Sequence, residues 1–339
     1  MSELVEKHKD NAGFLRQVRN KVKKCTSCGK PNAFTLLNCN ACGASLPTEI
    51  SYTNNIFSGF IYGVQKGPFP FTISLRHQDA DFIVFDDLLA LTPCHLNVIP
   101  TSKYIPDWRF LLKNPKEGKA ILLRMYELCF KVVKEQFWPN KAWRAKFVNN
   151  PKITDVEQLR PYIATGMNYP PSQYQLHLQF MLLPLLPFQH LQYLNGVHFT
   201  PGRFFPMQYI IKVLDAATDL DSPYPVKDDT PIQEIMAFFK AKGVDYDVMH
   251  EQLYAEYGQR HTELACWDVK DFEGVVVNNM YYKVVDGKYV PQPDVKASDI
   301  PAKDKKHLQN YGRPYNKESG RPTGTYYKMA KKPGDVPGW

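Results

Sequence analysis

FDDLLALTPCHLNVIP (residues 85–100) and SQYQLHLQFMLLP (residues 172–184) are the two stretches whose reading decides the fold. The second alternates in character: Leu176, Leu178 and Phe180 fall on one face of a strand, and Gln175, His177, Gln179 and Met181 on the other. A single histidine in an apolar strand is ordinarily a satisfied core residue. Three polar side chains on one face are a different matter, because buried polar groups that lack partners cost free energy. That face is therefore expected to line a polar cavity. The first stretch supplies acidic residues at a strand end, a turn, then His95 and the run Val98-Ile99-Pro100.

Between the two stretches, Ile121, Leu122, Met125, Leu128, Cys129, Val132 and Val133 recur at spacings of three and four, which predicts a helix over about 115–137 with Pro139 beyond its end. Upstream, NNIFSGFIYG, FTISLR and DFIVFDD read as strands. Downstream, helices are predicted over about 231–242 and 245–260, and VVVNNMYYKVVDGKYV reads as short strands joined by Asn-Asn and Asp-Gly turns. There is no internal repeat. The expected class is α+β, an antiparallel sheet with packed helices and a small zinc finger in front of it.

The order of these pieces resembles the histidine-triad (HIT) superfamily of nucleotidyl hydrolases and transferases. Asp87, His95 eight residues on, Val98-Ile99-Pro100, a helix and the strand with His177 follow in that family's sequence, over roughly residues 55–185. The resemblance implies a HIT-like fold and a covalent nucleotidyl-histidine intermediate formed on a dinucleoside polyphosphate or a related nucleotide. It implies that His177 is the nucleophile, that Gln175 and Gln179 take the first and third triad positions, and that Ser172 donates to the phosphate. Asp87 would accept from ribose hydroxyls, Leu88 would line the base pocket and His95 would flank the site. An attacking imidazole nitrogen must be unprotonated, with the other ring nitrogen held by an acceptor; on an extended strand a backbone carbonyl two residues back can serve. The triad here reads Gln-x-His-x-Gln rather than His-x-His-x-His. A glutamine in the third position resembles the transferase and phosphorylase branch. Glutamine donates to a phosphoryl oxygen but cannot protonate a leaving group, which suits nucleoside phosphates as leaving groups. Lys103 and Arg203 are further candidates for contact with phosphate, and His198 lies in the same HFTPGRFFP turn as Arg203.

Four of the seven cysteines lie in residues 25–47 with the spacing Cys25-x2-Cys28-x10-Cys39-x2-Cys42. Two close thiolate pairs of this kind can surround zinc tetrahedrally and leave no open position for water, which points to a structural ion. Cys25, Cys28, Asn32, Cys39, Asn40, Cys42, Gly43 and Ala44 also resemble the Ran-binding-protein type of finger, whose members bind RNA or ubiquitin. Ala33 stands where RNA-binding members carry a stacking Trp, and Gly29-Lys30 where ubiquitin-binding members carry Thr-Phe. A structural or protein-docking finger is the expectation. Cys94, Cys129 and Cys266 are isolated and read as core residues.

The net charge of +8 on 339 residues is uneven. Residues 1–48 hold eight Lys/Arg against three acids and residues 296–339 ten against four, so the remainder carries about −3. Basic ends suit RNA, another acidic surface or a protein partner. Four segments are expected: 1–24, basic and helical around Phe14, Leu15, Val18 and Val22; 25–47, the finger; 51–291, the nucleotide-binding domain with its C-terminal extension; and 292–339, a basic, loosely draped tail. No apolar run is long enough for a membrane span, and MSELVEKHKD has no apolar core of a secretory signal, so a cytoplasmic or nuclear home is expected. Many members of the superfamily are dimers, which leaves a homodimer open. The function expected is a nucleotidyl hydrolase or transferase; the other reading is a catalytically weak nucleotide- or RNA-binding module docked on a ribonucleoprotein or protein.

Overall fold

In a computed structural model, residues 20–29, 31–34, 36–39, 42–53, 75–87, 90–148, 150–171, 175–265, 273–277, 280–286, 288–296, 298–305, 315–316 and 321–322 are described. Ser172, Leu88, Cys266 and the stretch NNIFSGFIYG lie outside the described residues, as do residues 14–19.

The N-terminal unit is a three-stranded antiparallel sheet of β1 (Asn20–Lys24), β2 (Pro31–Ala33) and β3 (Ser51–Thr53), with β1 in the centre. The helix expected through Val22 is not formed there. Val22 is buried in β1 and pairs with Ala33 on one side and Ser51 on the other. Two flanking strands satisfy the backbone of this short β-branched and lysine segment, which a helix of the same length could not do without a packing face.

The main sheet has six antiparallel strands: β4 (Leu75–Gln78), β5 (Phe82–Asp86), β6 (Cys94–Pro100), β7 (Ile163–Asn168), β8 (Leu178–Leu182) and β9 (Phe204–Pro206). Their spatial order is β4-β5-β6-β8-β7-β9. Every residue of β5 and β6 is buried, as befits strands covered on both faces. Directly opposed residues share a face. Cys94 opposes Leu182, Leu96 opposes Phe180 and Val98 opposes Leu178, and this apolar face joins the main core. His95 opposes Met181 and Asn97 opposes Gln179, so the two stretches that open the sequence reading present one polar face between them.

Helix α1 (Pro115–Val132) covers the apolar face with Leu122, Met125 and Cys129. Asn114 caps it by accepting from the N–H of Glu117, and Pro115 occupies the first turn, where its missing donor is not needed. Gly118 is required: a Cβ there would sit 2.8 Å from the Leu111 side chain. A single π-turn at Val133–Phe137 completes the helical stretch the spacing predicts. Further helices are α2 (Lys141–Phe147), α3 (Pro187–Leu194), α4 (Met207–Thr218), α5 (Ile232–Lys240), α6 (Tyr246–Leu264) and the short α7 (Ala302–Lys305), with 3-10 turns at Trp108–Lys113 and Val156–Tyr162. The expected C-terminal strands are present as β10 (Gly274–Val277), β11 (Met280–Val285) and β12 (Lys288–Gln292). Beyond them Asp304 is buried and accepts from the Tyr281 hydroxyl at 2.8 Å. Among the described residues no helix is long and apolar enough to cross a membrane.

Candidate functional site

His177 lies one residue ahead of β8 and is buried. Its Nδ1 donates to the backbone carbonyl of Gln175 at 2.8 Å, which fixes the tautomer and leaves the Nε2 lone pair as the ring's nucleophilic end. Burial holds its pKa below the usual imidazole value; the Gln175 carbonyl and the Asp87 charge pull the other way.

Asp87 follows β5 and is turned to the same face. Its N–H donates to His95 O at 2.9 Å, Asn97 Nδ2 donates to its Oδ2, and His95 Nε2 stands 3.8 Å from that oxygen. His95 Nδ1 accepts from the Leu91 N–H at 3.1 Å, so Nε2 carries the ring proton and points it toward the carboxylate. Burial lowers the pKa of His95 while Asp87 opposes the shift. The Asp87 side chain is 19% exposed against 2% for His95, so the carboxylate is the accessible member of the group. The neighbouring Asp86 points to the apolar face, where Arg76 Nε and Nη2 grip it at 2.8 and 2.7 Å. Burial raises its pKa against the pull of that arginine.

The two glutamines are placed differently. The Gln175 amide is fully buried and donates to the carbonyls of Pro100 at 2.8 Å and Lys103 at 3.1 Å. It braces the end of β6, with its amide N–H groups directed to the main chain. Gln179 is half-buried on the polar face. Lys103 is paired with Glu117 on α1, the helix over the opposite face of the sheet. Arg203 Nη1 donates to Pro170 O at 2.7 Å, beside the Tyr169–Pro170 peptide.

The sequence reading missed Asn97, which the alternation applied to QLHLQ would have found had it been applied to HLNVI. It also gave His198 no role. His198 Nε2 donates to Gln189 Oε1 at 2.5 Å, and its pKa is pushed down to about 4 by burial and by the nearness of His95.

In the N-terminal unit the four sulfurs of Cys25, Cys28, Cys39 and Cys42 lie within 4.8 Å of one another, the only such metal-competent group among the described residues. Cys25 and Cys42 Sγ are 3.6 Å apart and Cys28 and Cys39 Sγ 3.7 Å. Tetrahedral zinc with Zn–S bonds of ~2.3 Å needs sulfurs ~3.8 Å apart. Each pair ends in a glycine with a left-handed backbone, Gly29 (φ 71°) and Gly43 (φ 73°), whose N–H returns to the carbonyl of Cys25 or Cys39. Backbone N–H groups, that of Cys28 foremost, hold the Cys25 thiol below its usual pKa. The donor set and geometry fit a metal ion, and zinc is the ion such a set favours.

No family model matches the chain, and no curated protein matches it. Among solved structures, similarity is found to a Hit-like protein involved in cell-cycle regulation from Bartonella henselae, 23% identical, covering 39% of this chain and 82% of that one with a TM-score of 0.24. It is also found to the aprataxin ortholog Hnt3 from Schizosaccharomyces pombe, 14% identical over 64% of this chain and 98% of that one with a TM-score of 0.32. Hnt3 in complex with DNA and guanosine aligns over 61% of this chain and 98% of that one, at 14% identity and a TM-score of 0.30.

Proposed function

We propose that the polar face around His177 is a nucleotide site and that the protein is a nucleotidyl hydrolase or transferase acting through a nucleotidyl-histidine intermediate. The observation that carries this reading is the 2.8 Å bond from His177 Nδ1 to the Gln175 carbonyl, with Asp87 and His95 on the same face. The Nε2 lone pair attacks the α-phosphorus of a dinucleoside polyphosphate or related nucleotide. The bond to the leaving phosphate breaks, and the leaving group takes the electron pair. The imidazolium so formed keeps its Nδ1 proton on the Gln175 carbonyl. Water or another acceptor then attacks phosphorus, the N–P electron pair returns to Nε2 and the acceptor's proton passes to solvent. Asp87 receives the ribose hydroxyls, and Gln179 donates to a phosphoryl oxygen without protonating the leaving group. Ser172 would donate to phosphate, and Leu88 would line the base pocket. The cysteine cluster holds a structural zinc, and the finger with the basic ends docks RNA or a protein. Incubation with a panel of dinucleoside polyphosphates, read by intact mass, tests the reading: a mass increase of one nucleotidyl group is expected.

One observation favours the alternative of a catalytically weak nucleotide- or RNA-binding module. The Gln175 amide is bonded to two backbone carbonyls, so Gln179 is the remaining triad-position amide to assist phosphate. Retained nucleotide binding with no adduct on any substrate distinguishes that module from the enzyme.

A further inference from the structure

We infer that Asn97 is a positioning residue for Asp87, setting the carboxylate so that the site takes the paired hydroxyls of a ribose and rejects a deoxyribose. The inference rests on the nucleotide reading of the His177 face.

Asn97 occupies the middle of β6, buried, with Phe85 opposite it on β5 and Gln179 opposite it on β8. Asparagine is a poor strand residue, and burying its amide is unfavourable unless the amide is bonded. The next residue along this face is the apolar Ile99. What Asn97 does there is donate its Nδ2 to Asp87 Oδ2. That bond also sets the amide's orientation and turns its Oδ1 away from the carboxylate. Asn97 Oδ1 and His95 Nε2 are both buried, and neither has a hydrogen-bond partner among the described residues. His95 Nε2, the protonated ring nitrogen, stands 3.8 Å from the same Asp87 oxygen.

One donor, Asn97 Nδ2, therefore holds a carboxylate oxygen, the His95 Nε2 proton faces the same oxygen from 3.8 Å, and one amide acceptor remains beside them. A carboxylate held in this way has its lone pairs aimed before any ligand arrives. The group that suits it is a neutral diol, whose hydroxyls donate to the carboxylate and to an amide acceptor and can accept from an imidazole N–H. A ligand lacking one hydroxyl leaves a buried acceptor unpaired, which is the basis on which polar sites reject deoxy analogues. With an apolar residue at position 97 the carboxylate would lose the Asn97 donor and with it the selectivity.

The test uses the full chain and the probes adenosine and guanosine 5′-monophosphate with their 2′-deoxy counterparts, measured by calorimetric titration. Wild type should prefer the ribonucleotide by about tenfold or more. Asn97→Leu and the isosteric Asn97→Asp should bring the two affinities to within about threefold of each other, mainly by weakening the ribonucleotide. Thermal melting identifies any variant that does not fold, and either variant suffices. If both affinities fall together and the ratio is kept, Asn97 is only a structural residue and the inference is overturned. Wild type that binds both sugars equally overturns it as well, while leaving the nucleotide site standing. Wild type that binds none of the four probes overturns the nucleotide reading together with the inference.

Discussion

The imidazole of His177 is held by the backbone of Gln175, two residues earlier in the chain, while the side chain of that same Gln175 reaches away to Pro100 and Lys103. One residue thus supplies an acceptor to the site through its main chain and a brace to the sheet through its side chain.

The two glutamines should therefore behave oppositely on substitution. Gln175→Ala leaves buried carbonyls unsatisfied and should cost about 1–3 kcal/mol of stability. Gln179→Ala should leave stability nearly unchanged but reduce turnover about 10²-fold, the usual effect of removing a donor aimed at developing charge. Denaturant melts and steady-state rates of both variants check this; equal stability losses would contradict it.

Asp86 and Asp87 are adjacent in sequence and face opposite sides of the sheet. Asp86→Ala removes the carboxylate that Arg76 grips in the interior and should destabilise by about 3–5 kcal/mol. Asp87→Ala should be mild in stability and weaken nucleotide affinity instead. Urea unfolding and titration calorimetry on the pair separate the two roles.

The buried histidines predict an acid limb in stability. His198 has a folded pKa of about 4 against an ordinary 6.5, so between those values the unfolded chain binds a proton that the folded chain does not. Its contribution is fully present above about pH 6.5 and is lost as the pH falls toward 4, up to about 3 kcal/mol in all. His95 and His177, lowered by burial, act in the same direction. Unfolding free energies at pH 7 and pH 4.5 should differ less in His198→Asn than in wild type.

Metal analysis should find one zinc per chain, and Cys28→Ser should release it. Cys28 is exposed, so the substitution removes a ligand without opening a core. Chelation should unfold the three-stranded N-terminal unit and leave the main melting transition in place.

Much of this was legible in the sequence because the periodicities were long. The alternation in QLHLQFMLL and the three-and-four spacing from Ile121 to Val133 gave the polar face and the helix opposite it. The cysteine spacing gave the cluster. What the sequence did not yield depended on register and on side-chain reach. That Lys103 pairs with Glu117, and that the Gln175 amide turns to the backbone, follow from how strand ends meet the loop at Pro100–Lys103. Val22 was misread because a short segment with a weak helical pattern goes where tertiary pairing takes it, here between two strands. The role of Asn97 needed the pairing register that sets it opposite Gln179.

The nucleophile can be tested directly by mapping the adduct. Wild type and His177→Asn are incubated with a dinucleoside polyphosphate, quenched under alkaline conditions that preserve a phosphoramidate, digested and sequenced by mass spectrometry. A nucleotidyl group is expected on His177 in wild type, and none in the variant, with nucleotide affinity in the variant kept within about threefold. An adduct on another residue, or one that persists in His177→Asn, would contradict it.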